Sequence, residues 1–244
     1  MRKAAVPVVV LVVVATLAAW GWHQGYFGAR LELNRVLVNA PSHFDQDPAM
    51  RDAIRDMVAS ALDQDPAVNW SPEVRTEEGY TLELQVRDVV EVAGEQRREI
   101  LVRLIPANGH PPIDAMGYGK EPHRLVGSVE NGFRDGWSHV VWRLEMLQKP
   151  VAELLALLPV ANDKRQRLFL ITRLGELKET KALDPLLALL KTEEDNDIIL
   201  RLIGTLAQIG DDRAVEAMIA TTRLKDEIFM VQVVYAIGGI GGRM

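Results

Sequence analysis

The stretch LGELKETKALDPLLALL, beginning at Leu174, returns thirty-two residues later as LAQIGDDRAVEAMIATT, beginning at Leu206. Leu174 aligns with Leu206, Leu177 with Ile209, Ala182 with Ala214 and Leu183 with Val215. A third copy starts thirty-one residues on as IGGIGGRM, with Ile237 and Ile240 in the places of Leu206 and Ile209. VAELLALL at 151–158 matches LDPLLALL at 183–190, again at an offset of thirty-two, so the repetition begins at Val151. A period of this length is that of a helical solenoid, in which each unit buries its apolar face only against its neighbours. Such a fold presents surface, and a noncatalytic binding role is expected of it.

The units are read as helix pairs. Leu200, Leu202, Ile203 and Leu206 stripe a first helix, and Val215, Met218 and Ile219 a second. Gly210 suits the left-handed residue that ends a helix, and Asp212 is placed to cap the next one. The run Leu206-x-x-Ile209-Gly210, a turn carrying Asp212, then Ala214-Val215, resembles the HEAT-like repeats first described in phycobilin lyases. Leu174 and Leu177 keep the pattern with Lys178 in place of glycine, and Ile237 and Ile240 keep it to the end. The resemblance covers roughly 150–244 and implies a solenoid that meets protein partners along a concave face lined by second helices. It does not carry over lyase activity, since the chain has no cysteine. The last unit stops where its second helix should start, which leaves Val231, Val234, Tyr235 and Ile237 uncovered. A truncated longer array, or a partner or second copy over that edge, is the expectation.

At the other end, residues 4–22 carry no charge and follow Arg2 and Lys3. Nineteen residues at ~1.5 Å each span roughly 28 Å, near the thickness of a bilayer core. Val8, Leu11, Val14 and Leu17 line the run, and Trp20 and Trp22 suit an interfacial belt. The expectation is a single transmembrane signal anchor that contacts the lipid bilayer and leaves the remainder in the periplasm; cleavage, for which the best site is Thr16, Leu17 and Ala18 inside the run, is the alternative. The lack of cysteine excludes disulfides, thiolate metal sites and Cys nucleophiles. Net charge is −6, and residues 149–244 hold 13 basic and 14 acidic groups, so the acidity lies mainly before the repeats. That balance argues against a nucleic-acid partner.

Between these parts, 30–147 reads as an α+β domain. LELNRVLVN at 31–39 alternates as a strand does. Asp47-Pro48 opens an amphipathic helix over 48–63. Residues 80–86 and 100–104 form a hairpin around Ala93-Gly94. A Gly/Pro-rich loop follows over 106–122, then a short strand at 123–129 and a helix from about Asn131. The expected fold class is therefore α+β: a transmembrane helix, a small antiparallel sheet with helices on one face, and an α-α solenoid of HEAT-like repeats. Its boundaries are 1–29, 30–147 and 148–244. The element order loosely resembles the amino-terminal domain of the Tol–Pal periplasmic propeller protein and related envelope lipoprotein domains, without a shared motif.

Chemistry is sparse. His43, Asp45 and Asp47 alternate but lack further ligands for zinc or calcium. His110, His123 and His139 have no partner at i+4. Gly117-Tyr118-Gly119-Lys120 does not open a helix, and Ser128 lacks the Gly-x-Ser-x-Gly spacing. The acidic run Glu193, Glu194, Asp195, Asp197 precedes a helix, where its charge meets the positive end of the dipole. No cofactor or metal is expected. The rival to the scaffold is an envelope enzyme or a small-molecule or glycan site built from His110, Asp114 and Lys120 in the 106–122 loop.

Overall fold

The structure, a computed structural model, describes residues 31–39, 48–66, 68–70, 79–222 and 227–241. The chain divides after Leu144 into two compact units.

The first unit is a five-stranded sheet in the order β2-β1-β3-β4-β5. β1 (Leu31–Asn39) leads through helix α1 (Pro48–Asp63) to the short β2 (Val68–Trp70). β3 (Tyr80–Val92), β4 (Glu95–Pro106) and β5 (Ile113–Gly119) follow, then helix α2 (Leu125–Leu147). The β3–β4 hairpin has the expected alternation. Leu82, Leu84 and Val86 stand opposite Leu104, Val102 and Ile100 and are buried. Ile54, Val58 and Leu62 of α1 and Val129, Phe133, Trp137 and Val140 of α2 join them in one core. Burial of this kind contributes about 1.5–3 kcal/mol per large side chain. The rings of Phe133 and Trp137 stack 6.1 Å apart, and the Trp137 indole donates to Asp65 at 2.8 Å. That bond satisfies the one polar atom of a large apolar group.

Several expectations need correction. The sheet is mixed, because β1 runs parallel to both β2 and β3. The α1 crossover accounts for the first parallel pair. Residues 113–119, read as loop, form the edge strand β5, and residues 125–129, read as strand, are the first turns of α2. Glycine misled the reading of β5. A Cβ on Gly117 would lie 1.9 Å from the carbonyl oxygen of Gly132, and one on Gly119 1.9 Å from that of Ser128. These glycines let helix backbone approach strand backbone; they do not loosen a turn.

The free edge of β5 is occupied by α2. Asp135 accepts from the Tyr118 N–H at 3.0 Å, and the Arg143 guanidinium donates to the Asp114 carbonyl. These two side chains, about two turns apart on α2, thus satisfy backbone groups that an edge strand would otherwise leave open.

No helix of the described residues is long and apolar enough to cross a membrane, which corrects the expected transmembrane fold class. The longest, α2, has 23 residues but carries Glu130, Arg134, Asp135, Arg143 and Glu145. Residues 4–22, with Val8, Leu11, Val14, Leu17, Trp20 and Trp22, lie outside the described residues, as do His43, Asp45 and Asp47.

The second unit is helical: α3 (Val151–Leu157), α4 (Lys164–Leu177), α5 (Leu183–Thr192), α6 (Asn196–Ile209), α7 (Arg213–Thr222) and α8 (Glu227–Gly241). The thirty-two-residue echo becomes two helix pairs, α4–α5 and α6–α7, with α8 as the first helix of a third. Leu174 and Leu206, at matching places, are both fully buried, as are Ala182 and Ala214.

Candidate interaction surface

The same backbone devices recur in each pair. Asp163 and Asp195, thirty-two residues apart, are the N-caps of α4 and α6. The Asp163 carboxylate accepts from the N–H groups of Arg165 and Gln166, and that of Asp195 from those of Asp197 and Ile198. Both helices end in a left-handed residue, Lys178 at φ 50° and Gly210 at φ 77°. At the start of α7 the cap differs from expectation. Asp211, not Asp212, accepts from the Arg213 N–H at 2.9 Å, while Asp212 offers its backbone carbonyl to Val215.

Charged contacts tie one pair to the next. Lys164 Nζ lies 2.8 Å from Asp195 and 2.7 Å from Asp197, and Arg213 meets Asp184 at 3.1 Å. The hydrogen bond to Lys164, with two backbone N–H bonds, holds the Asp195 carboxyl below its ordinary range, and Asp195 in turn raises the Lys164 ammonium. The acidic run therefore caps a helix and staples two repeats.

Thr205 donates its hydroxyl to the Ile171 carbonyl at 3.1 Å, both residues being buried, so α4 and α6 approach closely. Gly175 makes room for this: a Cβ there would sit 2.6 Å from Gln208 Oε1 and 3.0 Å from Thr205 Cγ2. Beside the contact the helices part, leaving a groove of about 490 Å³. Leu168 and Thr172 form one wall; Leu200, Arg201, Gly204, Thr205 and Gln208 form the floor and the other wall, and Asp197 one end. Gly204 has nothing within 4 Å of where its Cβ would be, so its missing side chain is part of the opening. The lining is mixed, with Leu168 and Leu200 the apolar side chains among Thr172, Asp197, Arg201, Thr205 and Gln208, which suits a protein surface: a side chain or two received, with polar groups to fix register. The groove opens on first helices, whereas the resemblance implied a surface of second helices. Sequence reasoning missed it, and the available signal was Gly204 alone in the middle of an otherwise good helix.

The remaining candidates do not assemble into a site. Asp114 is engaged by Arg103 at 3.6 Å and by Arg143 at 3.8 Å. Lys120 lies six residues along a largely extended chain, ~20 Å away. His110 and His123 are exposed. His139 is buried beside Asp135, 3.9 Å away on the preceding turn. The Ser128 hydroxyl is fully buried against Gly119, sealed from any substrate. Among the described residues no group of three or more His, Asp or Glu side chains could hold a metal ion.

Of the repeat-defining residues, Ile240 is 4% exposed, whereas Ile237, Leu177 and Ile209 are half-buried and Asp212 is exposed. Along α8, Val231, Val234 and Tyr235 are 54%, 69% and 78% exposed. Ile237 does not belong to that open stripe. No curated protein matches the chain. The family model for HEAT repeats matches residues 151–241, from the start of α3 to the end of α8. This carboxy-terminal part is similar to HEAT repeats, a fold that commonly mediates contact between proteins.

Proposed function

We propose that the chain is a noncatalytic protein-interaction scaffold acting in assembly or maintenance of the bacterial envelope. The observation that carries the reading is the groove between α4 and α6, set in a unit similar to HEAT repeats. Its walls come from consecutive repeats held by Thr205, Asp195 and Lys164, so the groove is a preformed feature of the stack. The uncharged stretch 4–22 behind Arg2 and Lys3 supports export, and with it a place for both units outside the cytoplasm.

The test is affinity capture from envelope extract with the full chain and with Gly204→Trp, which fills the groove. A partner enriched by the wild type, lost with the variant and cross-linked to α4 or α6 is the expected outcome. Equal enrichment by both proteins, or enrichment of nothing, contradicts the reading. Alkaline-phosphatase fused after residue 150 tests location, and an inactive fusion refutes it.

A further inference from the structure

Most of the described arginines of the second unit are engaged within the fold. Arg165 pairs with Asp163, Arg167 with Glu193, Arg173 with Glu176, and Arg213 with Asp211 and Asp184. Arg201 has no hydrogen bond or ion pair among the described residues, and it stands exposed in the lining of the groove between α4 and α6. Its natural partner on a helix is Asp197, four residues before it. That carboxylate instead lies 2.7 Å from Lys164.

Both threonine hydroxyls of the groove already donate, Thr172 to the Leu168 carbonyl at 2.8 Å and Thr205 to that of Ile171 at 3.1 Å. The Arg201 guanidinium keeps its donors to offer. It stands beside Leu168 and Leu200, half-buried at matching places on the two helices. One delocalised charge next to aliphatic surface matches one carboxylate that adjoins an aliphatic side chain. A phosphate group calls for a cluster of arginines, and Asp197, about one turn away, opposes a second negative charge. At ~1.5 Å per residue the groove runs ~16 Å along α6 from Asp197 to Gln208, enough for about five residues of extended chain. Arg201 lies between those ends, so a carboxylate paired with it has chain on both sides.

We propose that the groove selects an acidic protein segment, in which an aspartate or glutamate side chain pairs with Arg201 and a neighbouring aliphatic side chain packs on Leu168 and Leu200. This specificity rests on the groove being the protein-binding surface proposed above, and Arg201 is the residue that sets it.

The probe is a random phage-displayed peptide library of about twelve residues, longer than the groove, panned on the full chain. Each displayed peptide continues at its carboxyl end into the coat protein, so the carboxylates available for selection are those of side chains. The wild type should enrich Asp or Glu at a fixed spacing from Leu, Ile, Val or Met. Arg201→Gln should keep the aliphatic preference, lose the acidic one and bind the wild-type consensus peptide at least about fivefold more weakly. Arg201→Glu should select Lys or Arg in place of the acid, and Gly204→Trp should lose both preferences. Arg201 is exposed, so both of its variants should keep the wild-type circular dichroism. Acid selection that survives Arg201→Gln, or an aliphatic preference without an acid that Gly204→Trp abolishes, overturns the carboxylate specificity and leaves the groove as a binding surface. Selection indifferent to Gly204→Trp, or no selection at all, overturns both.

Discussion

Replacing Gly117 by alanine tests the account of the first unit at its tightest point. The new methyl would lie 1.9 Å from the Gly132 carbonyl oxygen and 2.5 Å from the Gly136 nitrogen, both backbone atoms of α2. Neither can swing aside as a side chain would. Restoring an ordinary contact of roughly 3.5 Å means separating helix and strand by about 1.5 Å. Along that interface α2 buries Val129, Phe133, Trp137 and Val140, worth ~6–12 kcal/mol together at ~1.5–3 kcal/mol each. A gap of 0.5–1 Å forfeits about a quarter to a half of such contact energy. The expected loss is therefore ~1.5–6 kcal/mol, from within the usual range for overpacked cores to well above it. Trp70, Trp137 and Trp142 belong to this unit and no tryptophan follows residue 144, so the fluorescence change in urea reports this unit and not the repeats. With a slope of about 2 kcal/mol/M the midpoint should fall by ~0.8–3 M. Gly127→Ala, in the same helix with open space around its Cβ, is the control and should stabilise by ~0.5–1 kcal/mol. A Gly117→Ala midpoint within 0.3 M of wild type, or equal damage from both substitutions, would refute the close-approach argument.

Other outcomes follow from the repeats and are read by far-UV circular dichroism during thermal or chemical unfolding. Lys178→Gly relieves a left-handed lysine and should stabilise the second unit by ~0.5–1 kcal/mol, whereas Gly210→Ala should cost ~1 kcal/mol. Thr205→Val keeps the shape but removes the hydroxyl bond to Ile171, for a loss of ~1 kcal/mol. Asp195 has a depressed folded pKa, so its contribution is present above the unfolded value of 3.8 and is lost as pH falls through the folded value. Lys164 has a raised one, so its share is complete below 10.5 and is lost as pH rises through the folded value. Asp195→Asn should flatten the acid limb of the stability profile, and an unaltered slope there contradicts the staple.

The repeats were legible because the same physical demand is written at thirty-two-residue intervals: Leu174 and Leu206 face the same core, Ala182 and Ala214 the same tight corner. The groove was not, because it arises where a side chain is missing, and Gly204 carries no pattern of its own. In the first unit the β3–β4 hairpin announced itself by alternation. β2 did not, since three residues are too few to show a period. β5 alternates as well as β3 does, yet Gly117 and Gly119 occupy its inward positions, and glycine in a strand reads as a break until the helix that needs the space is known. Asp211 and Asp212 were indistinguishable in sequence; only the backbone geometry at Arg213 selects the first.

The covered edge of β5 limits how this protein can be met by others. A sheet with an open edge can recruit a peptide by adding it as another strand, a mode governed by main-chain pairing and tolerant of many sequences. Here Asp135 and Arg143 already fill two of the hydrogen-bonding places that such a guest would use. At the other side of the sheet β2 offers only three residues. Under the proposed scaffold role, recognition falls to side chains on helices rather than to the backbone. One substitution on a helix can then change the choice of partner without touching the sheet.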